Sequence, residues 1–375
     1  MFSGKGTLEI LSGRRGGIAA ACLRGLLAAG EPLYRWYARR RNRGYDTGRL
    51  PITRVDTTVI SVGNLTVGGT GKTPFVCWLA QWLQSRAVGV TLISRGYGRA
   101  GGQLNDEALE LAARLPGVPH LQNADRVAAA RQALAVNPRQ VLILDDAFQH
   151  RRIARELDIV LVDALEPFGF GRLLPRGLLR EPIEGLSRAQ VVGLSRADAV
   201  SAARREEIHR EVARVAPQAT WIELSHRPAA LINSDGQTAA LDTLRGQKVL
   251  AFCGIGNPAG FAHTLESAGL NVLTLREFPD HHRYSERDLS DLDQWTASAP
   301  QAAAAVCTHK DLVKIPRDKL GQLPLWAVTV EIVISSAMAE LERRLEEISA
   351  GMAVSASGTV ASRKEAESSH RSARI

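Results

Sequence analysis

Three glycines, a lysine and a threonine (Gly68, Gly69, Gly71, Lys72 and Thr73) stand in one run, Val59-Ile-Ser-Val-Gly-Asn-Leu-Thr-Val-Gly-Gly-Thr-Gly-Lys-Thr-Pro74. Glycines let successive backbone N–H groups turn toward one anion, so Thr66, Val67, Gly68, Gly69, Thr70, Gly71, Lys72 and Thr73 are the candidate phosphate-binding residues. Lys72 would reach the β- and γ-phosphates, and the Thr73 hydroxyl would face Mg²⁺. A nucleoside triphosphate such as ATP is the first ligand to consider. The strict pattern carries a glycine where this chain has Thr66, and a plain glycine-rich turn is the alternative.

A second cluster follows at Val141-Leu-Ile-Leu-Asp145-Asp146, a buried-strand pattern that ends in two carboxylates. Asp145 and Asp146 are candidate Mg²⁺ ligands opposite a phosphate loop; the competing role is a turn or helix cap. Gln149 and His150 come directly after them and would line the same mouth. In Leu92-Ile-Ser-Arg95-Gly-Tyr-Gly98-Arg99, the two arginines could hold phosphate or an anionic acceptor, or simply be solvated. Asp106 heads a helical pattern, where an acidic residue commonly serves as a cap. Residues 168–182 form a long irregular segment whose apolar side chains suit a greasy ligand, and its closing pair, Arg180 and Glu181, could order the site or hold water on the metal. In the second half, His281 and His282 read as an acid–base or metal pair, or as ordinary structural histidines.

These residues need a scaffold that brings strand ends together. Strand-like runs at 58–62, 89–94, 141–144, 159–162 and 191–194 alternate with helical patterns at 74–86, 106–115, 125–136 and 201–215. That alternation predicts an α/β fold with a P-loop NTPase-like, doubly wound parallel sheet. From Thr220–Leu224 a new pattern opens, and strands at 248–253, 271–275, 303–308 and 325–330 with helices at 258–268, 285–297 and 335–349 predict a second, smaller α/β domain. The expected units are 1–54, 55–220, 221–350 and a disordered tail, 351–375, rich in Ser, Ala and Arg.

The 375-residue chain is 45% hydrophobic, enough for a large core. Its four cysteines are scattered without a C-x-x-C pair, which argues against a disulfide framework or a zinc site and for a reducing cytoplasm. The net charge of +8 comes from residues 1–54, where arginines are interleaved with Leu23, Leu26, Leu33, Tyr34, Trp36 and Tyr37. This is the composition of an interfacial helix drawn to anionic lipid. A solvated basic helix or a nucleic-acid patch would share the charge, but no aromatic stacking platform accompanies it. Arg24 and Pro32 interrupt the best apolar run, so a membrane-spanning helix is not expected, nor is a signal peptide.

Taken in order, Gly63-Asn-Leu-Thr-Val-Gly-Gly-Thr-Gly-Lys-Thr-Pro74, Ser94-Arg-Gly-Tyr-Gly98, Asp125-Arg126, Asp145-Asp-Ala-Phe-Gln-His150, Leu174-Pro-Arg-Gly-Leu-Leu-Arg-Glu-Pro182, Gly254-Ile-Gly-Asn-Pro258, Asp280-His-His282 and Thr308-His-Lys-Asp311 resemble the tetraacyldisaccharide 4′-kinases of Gram-negative envelopes over residues 15–345. The resemblance implies ATP- and Mg²⁺-dependent phosphorylation of the 4′-hydroxyl of a lipid A disaccharide 1-phosphate precursor. It places a monomeric, peripheral enzyme at the anionic cytoplasmic face of the inner membrane, with no nucleic-acid partner. By motif position Asp106 looks like the catalytic base, His281 its partner, Lys72 a catalytic cation, Thr73, Asp145, Asp146 and Glu181 the metal side, and Arg95, His150 and Arg180 active-site neighbours. This sequence departs from the family pattern in a short 98–106 stretch, in Asn105-Asp106-Glu107-Ala108 for Gly-Asp-Glu-Pro, in Ala147 for Gly and in His309 for Glu. A membrane-associated nucleotide switch that needs no glycolipid is the competing reading.

Overall fold

Two helices, α1 (Lys5–Ser12) and α2 (Ile18–Asp46), precede the sheet in the computed structural model, which describes residues 5–96 and 106–349. The chain then runs β1 (Val59–Asn64), α3 (Lys72–Ser85), β2 (Val90–Ser94), α4 (Asp106–Arg114), β3 (His120–Gln122), α5 (Arg126–Val136), β4 (Val141–Asp145), β5 (Leu157–Asp163), β6 (Val191–Ser195), α6 (Ala202–Val215) and β7 (Thr220–Ile232). It continues through β8 (Thr238–Ala239), β9 (Lys248–Cys253), α7 (Pro258–Ser267), β10 (Asn271–Glu277), α8 (Glu286–Ala297), β11 (Ala304–Thr308), α9 (His309–Leu312), β12 (Lys319–Leu320) and β13 (Leu323–Ile334), then a last helix, α10 (338–349). Gly98, Arg99, Asn105 and the 351–375 tail lie outside the described residues.

The apolar runs of β1, β2, β4, β5 and β6 are buried throughout, as strands covered by helices on both faces must be. Phe75, Leu79 and Leu83 of α3 cover one face of the sheet with Leu111 of α4. Val127, Ala130 and Ala133 of α5 cover the other.

The strand order is β10-β9-β11-β13-β7-β6-β5-β1-β4-β2-β3, with β8 and β12 appended. Every neighbour pair along this path is parallel except β7 with β13. The path is otherwise parallel, as the pattern predicts, and that one antiparallel pair joins its two blocks. Strand β7 covers the Thr220–Leu224 run and continues beyond it to Ile232, with Pro228 at a register shift. Its first five residues pair with β6, and from Leu224 onward it pairs with β13 instead. The second block of parallel strands is therefore built on an overhang and runs back toward the first. The carboxyl ends of the two blocks face one another, which is where open α/β sheets bind ligands.

Helix α2 is apolar on the outside. Ala20, Glu31, Ala38 and Tyr45 are its buried residues, whereas Ile18, Leu26, Leu33, Trp36 and Tyr37 are exposed. Pro32 interrupts the apolar run but lies within the helix without ending it. Among the described residues no helix is long and apolar enough to cross a membrane. The 168–182 segment departs from expectation: Phe168, Leu173, Leu178 and Leu179 are buried in a core cluster with Leu65 and Phe148, so they are not available to a greasy ligand. Glu31 fixes this segment to α2, accepting from Leu173 N at 3.3 Å and lying 3.5 Å from Arg172.

Candidate active site

The phosphate loop joins β1 to α3. Gly68 has φ +119 and Gly71 φ +77, and Gly71 is the N-cap of α3, so the positive end of the helix dipole opens at the loop. A Cβ on Gly71 would fall 2.3 Å from His226 Cε1, so only glycine admits the histidine that β7 places there. Asn64 Nδ2 donates to Thr66 O at 2.7 Å, and Val67 N donates to Leu178 O at 2.8 Å. These bonds shape the near side of the loop. The backbone of Thr66 itself bridges to Leu179.

Lys72 Nζ lies 3.4 Å from Asn64 Oδ1 and 3.5 Å from Asp146 Oδ1. Asp146 follows β4 with φ +49 and receives Arg180 Nη1 on both carboxylate oxygens at 2.8 Å. Burial would raise its carboxyl, but Lys72 and Arg180 outweigh burial and hold it well below the usual carboxylate range. Arg126, whose helix is capped by Asp125 accepting from Val127 N and Ala128 N, donates to the carbonyls of Asp145 and Asp146 at 3.2 and 3.1 Å. It fixes the strand end. The turn that follows packs so tightly on Gly63 that a Cβ there would lie 2.6 Å from Phe148 Cβ.

His150 is pushed down to about 4 by burial, with Arg126 and Arg155 adding to the effect, so its ring is neutral at pH 7. Its Nε2 is buried without a hydrogen-bond partner. Glu181 is 2% exposed, and its oxygens accept from Asn42 at 2.8 Å, Gln149 at 3.0 Å and Arg188 at 2.9–3.0 Å. That carboxylate is filled by α2, by the turn after β4 and by its own segment. Tyr34 of α2 donates to Arg180 O at 2.8 Å, and Arg41 to Gln149 O at 2.5 Å, so α2 braces both sides of the site.

Among the described residues no group of three or more His, Cys, Asp or Glu could hold a metal ion by itself. Thr73 in the first turn of α3, Asp145 ending β4 and Asp146 just after it suit instead a Mg²⁺ that draws its remaining ligands from phosphate and water.

From the facing block, the loop after β9 reaches the phosphate loop. A Cβ on Gly256 would be 3.5 Å from Gly69 N. Gly254 N donates at 3.0 Å to Asp311, which is wholly buried and also accepts from Thr308 Oγ1 at 2.6 Å. The Thr308-His-Lys-Asp311 run is thus a brace for this loop. His281 is exposed at φ +60, its N donating to Gly254 O at 3.2 Å, and Asp280 beside it lies 3.6 Å from Lys310. His282 stacks on Phe278 at 4.8 Å and faces Asp288 at 3.3 Å, the structural role. Asp106 is the first residue of α4; its side chain, and with it the expected pairing to His281, lies outside the described residues. Arg95 follows the end of β2 and is exposed.

Sequence reasoning brought together Lys72, Asp145, Asp146, His150, Arg180 and Glu181, and missed Asn64, Arg126, Arg188 and Arg196. Asn64 and Arg126 stood inside recognised motifs. Arg196 has partners far along the chain, at Gly69 and Asp163, whereas Arg188 pairs with nearby Glu181 but sits in no recognised motif.

The family model described as tetraacyldisaccharide-1-P 4′-kinase matches residues 23–349. A tetraacyldisaccharide 4′-kinase of Anaeromyxobacter dehalogenans (strain 2CP-C) is 42% identical over 319 residues, covering 80% of this chain and 84% of the relative. One from Geobacter sulfurreducens is 35% identical over 343 residues, covering 86% and 93%. The crystal structure of LpxK from Aquifex aeolicus in complex with ATP superposes with a TM-score of 0.68 at 30% identity, covering 87% of this chain and 99% of that one.

Proposed function

Since the chain belongs to the tetraacyldisaccharide-1-P 4′-kinase family, we infer that it transfers the γ-phosphate of ATP to the 4′-hydroxyl of a tetraacylated glucosamine disaccharide 1-phosphate, the lipid A precursor. The observation that carries this reading is the junction of Lys72, Asp146 and Arg180 at the mouth of the glycine loop. Phosphoryl transfer asks mainly for positioning and charge neutralisation, and this junction supplies both.

The N–H groups of Gly68 to Thr73 and the Lys72 ammonium would bind the phosphates. Thr73, Asp145 and Asp146 would hold Mg²⁺, which when bound neutralises phosphate charge. We assign Glu181 to organising Arg188, Gln149 and Asn42 around the site, since its oxygens already have those donors. Neutral His150, with a free ring nitrogen, and Arg95 would face the acceptor. Asp106 would accept the proton of the sugar hydroxyl and His281 would orient it.

The inverted α2 supports a further part of the reading. A helix whose exposed side carries Leu26, Leu33, Trp36 and Tyr37 among arginines suits an anionic lipid surface, here the cytoplasmic face of the inner membrane, with the chain acting as a peripheral monomer. Residues 55–220 and 221–350 would act as the nucleotide-bearing unit and its facing partner.

Purified protein incubated with labelled ATP and the lipid disaccharide 1-phosphate should label the lipid. Asp106→Asn should retain ATP binding and lose roughly a hundredfold or more in turnover. ATP bound with no label reaching the lipid would refute the acceptor assignment.

A further inference from the structure

Beyond the end of β6 stands a charge pair that the assignments above leave unused. Arg196 is 6% exposed and has φ +58, a left-handed backbone that is unfavourable for a side chain of this size. Its Nε donates to Asp163 Oδ1 at 3.0 Å, and its Nη2 donates both to Asp163 Oδ2 and to the carbonyl of Gly69, the latter at 2.7 Å. Asp163, the last residue of β5, also accepts from Asn257 Nδ2 at 3.2 Å. Asn257 belongs to the facing block, where its Oδ1 caps α7 through Gly260 N at 2.9 Å. One buried carboxylate thus joins the phosphate loop, through Arg196, to the loop that faces it.

Asp163 neutralises the guanidinium, so what Arg196 contributes to the phosphate loop is direction more than charge. In a trans peptide the C=O and the following N–H point opposite ways, and the Leu174–Pro175 bond is the cis one among the described residues. Anchoring Gly69 O on Arg196 therefore turns the Thr70 N–H to the other side of the peptide. We propose that Arg196 is a positioning residue for phosphoryl transfer, presetting the Gly69–Thr70 peptide so that the Thr70 N–H meets nucleotide phosphate. Asn257 makes that setting depend on how the facing block is seated. The proposal rests on the nucleotide reading of the phosphate loop. A fork is required: a lysine at 196 could satisfy Asp163 but has no second fixed donor for Gly69.

The test compares full-length wild type with Arg196→Met, Arg196→Lys, the double variant Arg196→Met/Asp163→Asn, and Asn257→Ser. Affinity for a fluorescent ATP analogue, and kcat and KM for ATP with the lipid acceptor, are the readouts. The double variant removes the carboxylate charge that Arg196→Met strands, so a merely structural role recovers there. The expected result is a folded double variant that still loses at least about tenfold in kcat/KM for ATP, with KM for the lipid unchanged and no rescue by lysine. Wild-type kcat/KM in the double variant overturns the proposal. Should that variant not fold, Asn257→Ser decides: it keeps a cap acceptor, loses the donor to Asp163, and should raise KM for ATP about threefold, whereas no change overturns the proposal. A wild type that binds the analogue but phosphorylates no lipid would remove the acceptor assignment alone, and analogue affinity across the same variants would still decide the role of Arg196.

Discussion

Asp146 shows how much of the site depends on one carboxylate. It receives two bonds from Arg180 and faces Lys72, and these cations keep it ionised despite its surroundings. Asp146→Asn keeps the shape but leaves Lys72 and Arg180 without their common counter-charge. Turnover in the lipid-labelling assay is expected to fall by about a hundredfold or more. Circular dichroism should show an unchanged fold, because the backbone around Asp146 is held independently by Arg126. The grouping of such residues was legible where the pattern is local: a glycine run before Lys72-Thr73, or paired aspartates at the end of an apolar strand. It was not legible for Arg196, whose partners at positions 69 and 163 meet it only after the sheet has formed. Glu181 lay in between, recognised as a site residue by its motif, while its three donors appear only in the fold.

At the scale of elements, the strands buried on both faces were readable because their apolar runs do not depend on partners. The overhang of β7 was not. Its Ser225-His-Arg-Pro-Ala-Ala-Leu-Ile232 stretch has no clean alternation, and Pro228 argues against a strand until the register shift that accommodates it is seen. Helix α2 posed the opposite problem. Its interleaved arginines and leucines led to the expectation of an interfacial helix, but did not tell which side faces out. The inward side carries Glu31, which holds Leu173; Tyr34 and Asn42, which bond to Arg180 and Glu181; and Tyr45, under Arg41 and Arg151, so the apolar residues are left outside. Exposing Leu26, Leu33 and Trp36 to water in a free protein is unfavourable, and lipid would relieve it by about 2 kcal/mol per side chain. The triple variant Leu26→Ser/Leu33→Ser/Trp36→Ser is therefore expected to lose more than about a hundredfold in partitioning to anionic vesicles, measured by co-sedimentation. Its affinity for ATP should stay at the wild-type value, since none of the three touches the phosphate loop. Wild-type sedimentation would mean that another surface meets the bilayer.

Across the whole molecule, the two blocks of strands meet along a seam in which two histidines are held neutral. His226, on the overhang of β7, packs against Gly71 and lies 3.0 Å from Ser195 Oγ. Burial, with Arg196 and Arg114 nearby, lowers it to about 3. His309, in α9, packs beside α4 of the opposite block and is lowered to about 4 by burial and then by Arg114. In the unfolded chain each would titrate near 6.5. Above that value both states are neutral and stability is at its full level. As pH falls from about 6.5 toward 4, the unfolded chain takes up protons that the folded chain refuses, so stability drops by up to about 1.4 kcal/mol per pH unit for each such group. His120 and His150, each lowered to about 4, add to the same slope, whereas the depressed Asp146 contributes stability that is lost only below the ordinary carboxylate range. Urea midpoints measured between pH 7.5 and 4.5 should therefore be flat above about 7 and fall steadily below 6.5. His226→Asn isolates the seam, because it removes one titrating group there. Whatever it does to stability at pH 7.5, the acid slope should become shallower by about one proton, and a slope identical to wild type would show that His226 gains its proton without opposing the fold.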